Sequence, residues 1–279
     1  MNIVEAMYRR WSEGEGDDSW GDITTEPEGV EYRDADADGV PVRWAEPAGA
    51  DPGRVMVYAH GGGFVGGSLD SHRKLAGHLA RATGLRVLLT HYRPAPEFRY
   101  PAQIEDVLTA YRWVVGQGLS TVLAGDSSGG GLALLAAVRV RDEGLPQPAA
   151  LLLISPWVDL AQTGASYESN AGTDLVFTRE MVRGLVEMYL ADRASPKDPQ
   201  VSPLYADLSG LPPMFVQVGA DETLLDEARM LAERADASGV DVRLDVFDGQ
   251  LHTFQMGAGN LAAADEAIGR FGEWLRPRL

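Results

Sequence analysis

The run Gly125-Asp126-Ser127-Ser128-Gly129-Gly130 sets a serine between glycines in the pattern G-x-S-x-G. A serine hydroxyl is a weak nucleophile at its own pKa and needs a neighbouring base to take its proton as it attacks. The pattern carries chemical meaning only where a strand turns sharply into a helix and lifts the hydroxyl clear of the sheet. That context is present: the apolar run Thr121-Val122-Leu123-Ala124 precedes it, and residues 132–138 continue as a helix-like stretch. Upstream, His60-Gly61-Gly62-Gly63 follows a second strand-like run, Val55-Met56-Val57-Tyr58-Ala59. Bare backbone N–H groups in such a loop can hold the negative oxygen of a tetrahedral intermediate, a large term in acyl-transfer catalysis. Together the two motifs point to nucleophilic acyl transfer.

The base should be a histidine, whose pKa lies near neutrality. There are five: His60, His72, His78, His91 and His252. In a strand–turn–helix hydrolase the order along the chain is serine, acid, histidine, and only His252 lies late enough. His60 reads as shaping the glycine loop, His72 and His78 lie on a helix, and His91 ends a strand. The acid should follow the strand at 214–218, where Asp221, Glu222 and Asp226 compete. It must accept a hydrogen bond from His252 Nδ1 and fix the ring tautomer. That requirement alone does not separate Asp221 from Glu222.

These residues need a scaffold. Strand-like runs at 54–59, 86–90, 121–124, 150–155, 214–218 and 242–247 alternate with helix-like segments at 71–82, 101–115, 128–143, 224–237 and 261–275. The alternation predicts an α/β fold in one domain over 1–279, with a mostly parallel sheet covered by helices on both faces. Ile3, Met7 and Trp11 form an amphipathic stripe at the N-terminus, and Thr178 is the expected N-cap of a helix reaching Leu190. The N-terminal segment, about 1–28, and an insertion at about 157–205 are expected to form a helical cap over the strand ends. Phe177, Met181, Met188 and Tyr189 in that insertion read first as core packing. Tyr8 and Trp11 fit either a lid lining or the buried stripe of a docked helix.

The net charge of −17 argues against nucleic acid or an anionic membrane as partner. No cysteine is present, which removes disulfides, thiolate metal sites and a cysteine nucleophile. The segment Asp34-Ala35-Asp36-Ala37-Asp38-Gly39 imitates the start of an EF-hand, yet its twelfth position is Ala45 where a bidentate glutamate is needed. A hairpin turn explains it better. No metal and no organic cofactor is implied. The N-terminus lacks a signal-peptide core and no stretch is apolar enough to span a bilayer, so a cytoplasmic protein is expected.

As a set, His60-Gly61-Gly62-Gly63-Phe64, Tyr92-Arg93-Pro94-Ala95-Pro96-Glu97, the elbow, Ser155-Pro156-Trp157, Ser202-Pro203-Leu204 and His252-Thr253-Phe254 resemble the bacterial hormone-sensitive-lipase-like esterases, a branch of the α/β-hydrolases. The resemblance runs from about Val30 to the C-terminus. It implies a serine carboxylesterase for short- to medium-chain esters, acting through an acyl-enzyme. A lactone hydrolase or amidase on the same triad is the alternative, followed by a non-catalytic ligand-binding member. The family's acid motif, Asp-Pro-Leu-x-Asp-Glu, laid on residues 222–227 puts the acid at Glu222. By the same resemblance the oxyanion hole would be Gly61, Gly62 and Ser128, with Gly63 needed for the turn. Phe64 and Trp157 would contact substrate, while Glu97, Asp126 and Ser155 would hold loops. A small-molecule ester is the expected partner, and an edge strand offers a route to a homodimer.

Overall fold

The computed structural model describes residues 1–15, 19–174 and 176–279. Positions 16–18 and 175, within the two expected cap segments, lie outside the described residues. The elements run α1 (Ile3–Ser12), β1 (Val30–Ala37), β2 (Val40–Pro47), β3 (Arg54–Ala59), α2 (Leu69–Thr83), β4 (Arg86–Thr90), α3 (Ala102–Val115), β5 (Ser120–Asp126) and α4 (Ser128–Asp142). They continue as β6 (Leu151–Ile154), α5 (Ser166–Ser169), α6 (Arg179–Leu190), β7 (Met214–Gly219), α7 (Leu225–Ala237), β8 (Val242–Phe247) and α8 (Ala262–Leu275).

All eight strands join one sheet in the order β1-β2-β4-β3-β5-β6-β7-β8. From β4 through β8 the pairing is parallel, whereas β1–β2 and β2–β4 are antiparallel. The turn of the β1–β2 hairpin is Asp38-Gly39, both with positive φ, as a tight right-twisting hairpin requires. Asp34 and Asp36, expected in that turn, instead lie within β1.

Strand residues alternate between two buried layers, because successive side chains point to opposite faces. Val55, Val57 and Ala59 of β3 pack in the layer that holds α3, α4 and α7 residues. Met56 and Tyr58 join the layer built from α1, α2 and α8. A central parallel strand covered on both faces is therefore buried along its length, as β3 is from Val55 to Ala59. The chain leaves β3 toward β4 and leaves β5 toward β6, so the loops after these adjacent strands part in opposite directions. Such a switch point opens a crevice at the strands' C-terminal ends. The register pairs Ala59 with Gly125, which sets the loop that starts at His60 beside the elbow at Ser127.

The α6 helix begins where its cap predicts: the Thr178 side chain accepts a hydrogen bond from Met181 N. Tyr189 is buried, as core packing requires, but Met181 and Met188 are 40% and 37% exposed. The core reading fails for these two methionines because they sit on the helix face turned away from the sheet layers.

Candidate active site

Ser127 stands between the last residue of β5 and the first of α4 with φ 52° and ψ −124°. This is a left-handed conformation that a side chain rarely takes, and it costs on the order of 1–3 kcal/mol. Three backbone hydrogen bonds hold it there: Ser127 N donates to Ile154 O at 2.9 Å, and Ser127 O accepts from Trp157 N at 2.9 Å and Gly131 N at 3.1 Å. Gly129 makes the elbow possible, because a Cβ there would collide with the carbonyl oxygens of Ala59 and His60. The first turn of α4 thus lies directly against the end of β3.

His252, in the loop after β8, places Nε2 2.9 Å from Ser127 Oγ and Nδ1 2.5 Å from Glu222 Oε2. A carboxylate can only accept, so Nδ1 carries the proton and Nε2 is left bare to receive one from Ser127. Glu222 and His252 are fully buried, and Ser127 is 6% exposed. The second oxygen of Glu222 is also committed: Oε1 accepts from Gly219 N at 2.7 Å and from Ser155 Oγ at 2.9 Å. Ser155 Oγ in turn accepts from Thr253 N at 3.1 Å, so one hydroxyl ties the acid to the histidine loop. Asp221, the competing carboxylate, makes no side-chain hydrogen bond among the described residues. Asp226 binds Ser166 N at 2.9 Å and Arg229 at 3.2 Å, a loop support on the other side of the turn.

The expectation for Gly61 needs correction. Its N–H donates to Asp126 Oδ1 at 2.9 Å, so it is not available to an oxyanion. The N–H groups of Gly62, Gly63 and Ser128, in the glycine loop and at the elbow beside Ser127, have no hydrogen-bond acceptor among the described residues. Gly62 has φ +122°, and a side chain at that position would strike the Gly66 backbone. Asp126 fastens this loop from below, also accepting from Tyr58 OH at 2.7 Å and facing His72 Nε2 at 3.4 Å. Burial opposes its charge, but the His72 imidazole and the Tyr58 hydroxyl outweigh that and hold the carboxyl below its ordinary range. His60 donates from Nδ1 to Gly61 O at 2.7 Å, and burial pushes its pKa down to about 3. It is a neutral loop brace, as its place in the sequence suggested.

Phe64 and Trp157 flank the elbow, 2% and 3% exposed, with ring centroids 5.3 Å apart. Glu97 is exposed. Two residues were missed by sequence reasoning or undervalued by it. Ser155 was read as a loop holder, although a polar residue just past the apolar β6, at the strands' C-terminal ends, was a usable signal. Tyr8 reads as lid lining or a buried stripe, and nothing local pointed to its hydroxyl donating to His252 O at 2.7 Å across 244 positions of sequence.

An α/β-hydrolase-fold family model matches residues 56–256. The chain belongs to that family. Within it, an acetyl-hydrolase of Streptomyces hygroscopicus is 41% identical over 84% of this chain and 78% of its own. An esterase of Acinetobacter venetianus is 35% identical over 81% of this chain and 76% of its own. The solved structure of an esterase from the bacterial hormone-sensitive lipase family superposes with a TM-score of 0.93 at 41% identity, covering 99% of this chain and 96% of that one. This α/β-hydrolase is accordingly a member of the bacterial hormone-sensitive-lipase-like esterases and a carboxylic ester hydrolase. No helix among its described residues is long and apolar enough to cross a membrane.

Proposed function

We propose that Ser127 is the nucleophile of this esterase, His252 its general base and acid, and Glu222 the carboxylate that orients the imidazole. The unbroken hydrogen-bonded line from Ser127 Oγ through His252 to Glu222 carries this reading. Ser127 attacks the ester carbonyl as His252 Nε2 takes its proton. The N–H groups of Gly62, Gly63 and Ser128 receive the oxyanion, with Gly61 left to anchor their loop. The tetrahedral intermediate collapses, and the imidazolium returns its proton to the departing alkoxide. Water activated by His252 then attacks the acyl-enzyme and releases the carboxylic acid.

Short- to medium-chain acyl groups are the proposed substrates, and the named activity of the acetyl-hydrolase relative supports the short end of that range. Phe64 and Trp157, adjoining the elbow, bound the acyl group. The N-terminal segment to about residue 28 and the insertion at 157–205 act as the cap. This is proposed as a cytoplasmic enzyme on small-molecule esters, pairing into a homodimer through the open edge of β8; light scattering after gel filtration checks the mass. The activity is tested on p-nitrophenyl esters from acetate to long acyl chains. Turnover peaking at short chains and falling by at least about 10⁴-fold in Ser127→Ala supports the assignment. Equal turnover in the folded variant overturns it.

A further inference from the structure

The two sides of Ser127 are furnished differently. On one side Phe64 stacks on Tyr189 with ring centroids 3.9 Å apart and adjoins Trp157, and all three are buried. Leu185 closes over Gly63, leaving no space there for even a Cβ. This side is filled by its own interlocked rings.

On the other side Phe177 sets its ring edge to the His252 imidazole, centroids 4.3 Å apart. Tyr8 meets Phe177 edge-on at 6.0 Å, and Trp11 and Trp20 meet each other at 4.9 Å and Tyr8 at 5.6 and 5.4 Å. Trp11, Trp20 and Phe177 are only partly buried.

His252 hands its proton to the leaving alkoxide, so groups packed on its ring flank the alcohol half of an ester. We propose that the aromatic surface formed by Trp11, Trp20 and Phe177 around Tyr8 binds the alcohol moiety, selecting esters of aromatic or bulky apolar alcohols with a small acyl group. This rests on the esterase reading above and adds which half of the ester carries the bulk.

Benzyl acetate and methyl phenylacetate test it cleanly. They are isomers with equal apolar surface, and the ring lies on the alcohol side in one and on the acyl side in the other. The expected result is a kcat/KM for benzyl acetate higher by at least about tenfold, the scale of one ring's burial and edge contacts. Phe177→Ala should shrink that ratio toward one. Trp11→Ala, at a partly exposed position, should raise KM for benzyl acetate more than for ethyl acetate. A ratio near or below one in the native enzyme overturns the proposal, as does a ratio unmoved by both variants. Absence of Ser127-dependent hydrolysis of every acetate, ethyl acetate included, overturns the esterase reading and this inference with it.

Discussion

Replacing Glu222 by glutamine tests the site most sharply, because the surrounding hydrogen bonds dictate how the new side chain must sit. Glu222 Oε1 receives two donors, Gly219 N at 2.7 Å and Ser155 Oγ at 2.9 Å. Only a carbonyl oxygen can satisfy both, so the glutamine amide oxygen takes that place and its NH2 turns to His252 Nδ1. An NH2 donates, and therefore Nδ1 becomes the acceptor and the imidazole proton moves to Nε2. Nε2 then faces Ser127 Oγ with a proton already in place and cannot accept another. A wrong tautomer in an otherwise intact triad lowers turnover by about 10⁴-fold, or roughly 5 kcal/mol of transition-state stabilisation. The assay is kcat/KM on p-nitrophenyl acetate, with circular dichroism and the melting temperature as folding controls. Asp221→Asn is the partner experiment and should change kcat/KM by less than about threefold, the scale expected for a carboxylate outside the charge network. Retention of a tenth of native activity in Glu222→Gln refutes the tautomer argument. Loss of activity in Asp221→Asn alone moves the acid to Asp221.

Three further outcomes follow from the same geometry. Tyr8→Phe leaves the His252 carbonyl without its 2.7 Å donor in a buried site, and melting should fall by roughly 2–6 °C with a matching loss of kcat. Ser155→Ala removes the hydroxyl shared by Glu222 and Thr253 N; kcat should fall by about ten- to a hundredfold while KM holds, as for one hydrogen bond to a charged group. Burial keeps folded His60 neutral down to about 3, whereas the unfolded imidazole takes a proton near pH 6.5. Its contribution to stability is full above about pH 6.5 and is lost as pH falls toward 3, so His60→Asn should show a shallower decline in melting temperature across that window. An equally steep decline in the variant would place the acid sensitivity elsewhere.

Local pattern carried most of the scaffold. The strands at 54–59, 86–90 and 242–247 match the structure residue for residue: the first two are apolar runs of the buried sheet, and the third alternates apolar with charged residues as a half-buried edge strand does. The elbow was equally legible, because a serine forced into left-handed backbone needs small neighbours, and Gly129 meets that need at a close approach visible as sequence. The position of His252, late in the chain after the last strand, follows from topology alone.

What the sequence left open was every choice that depends on which atom faces which. Asp221 and Glu222 are adjacent and chemically alike; the turn after β7 decides that Glu222 points inward to His252 and Asp221 does not. Gly61, Gly62 and Gly63 are identical as residues, and Asp126 reaching across from the end of β5 removes Gly61 from the free donors. Ser155 and Tyr8 come to the histidine loop over 98 and 244 positions of sequence. Periodicity and propensity are local and survive in one dimension. Hydrogen-bond direction and the pairing of distant side chains are set only when the layers close, and there the tertiary structure alone decides.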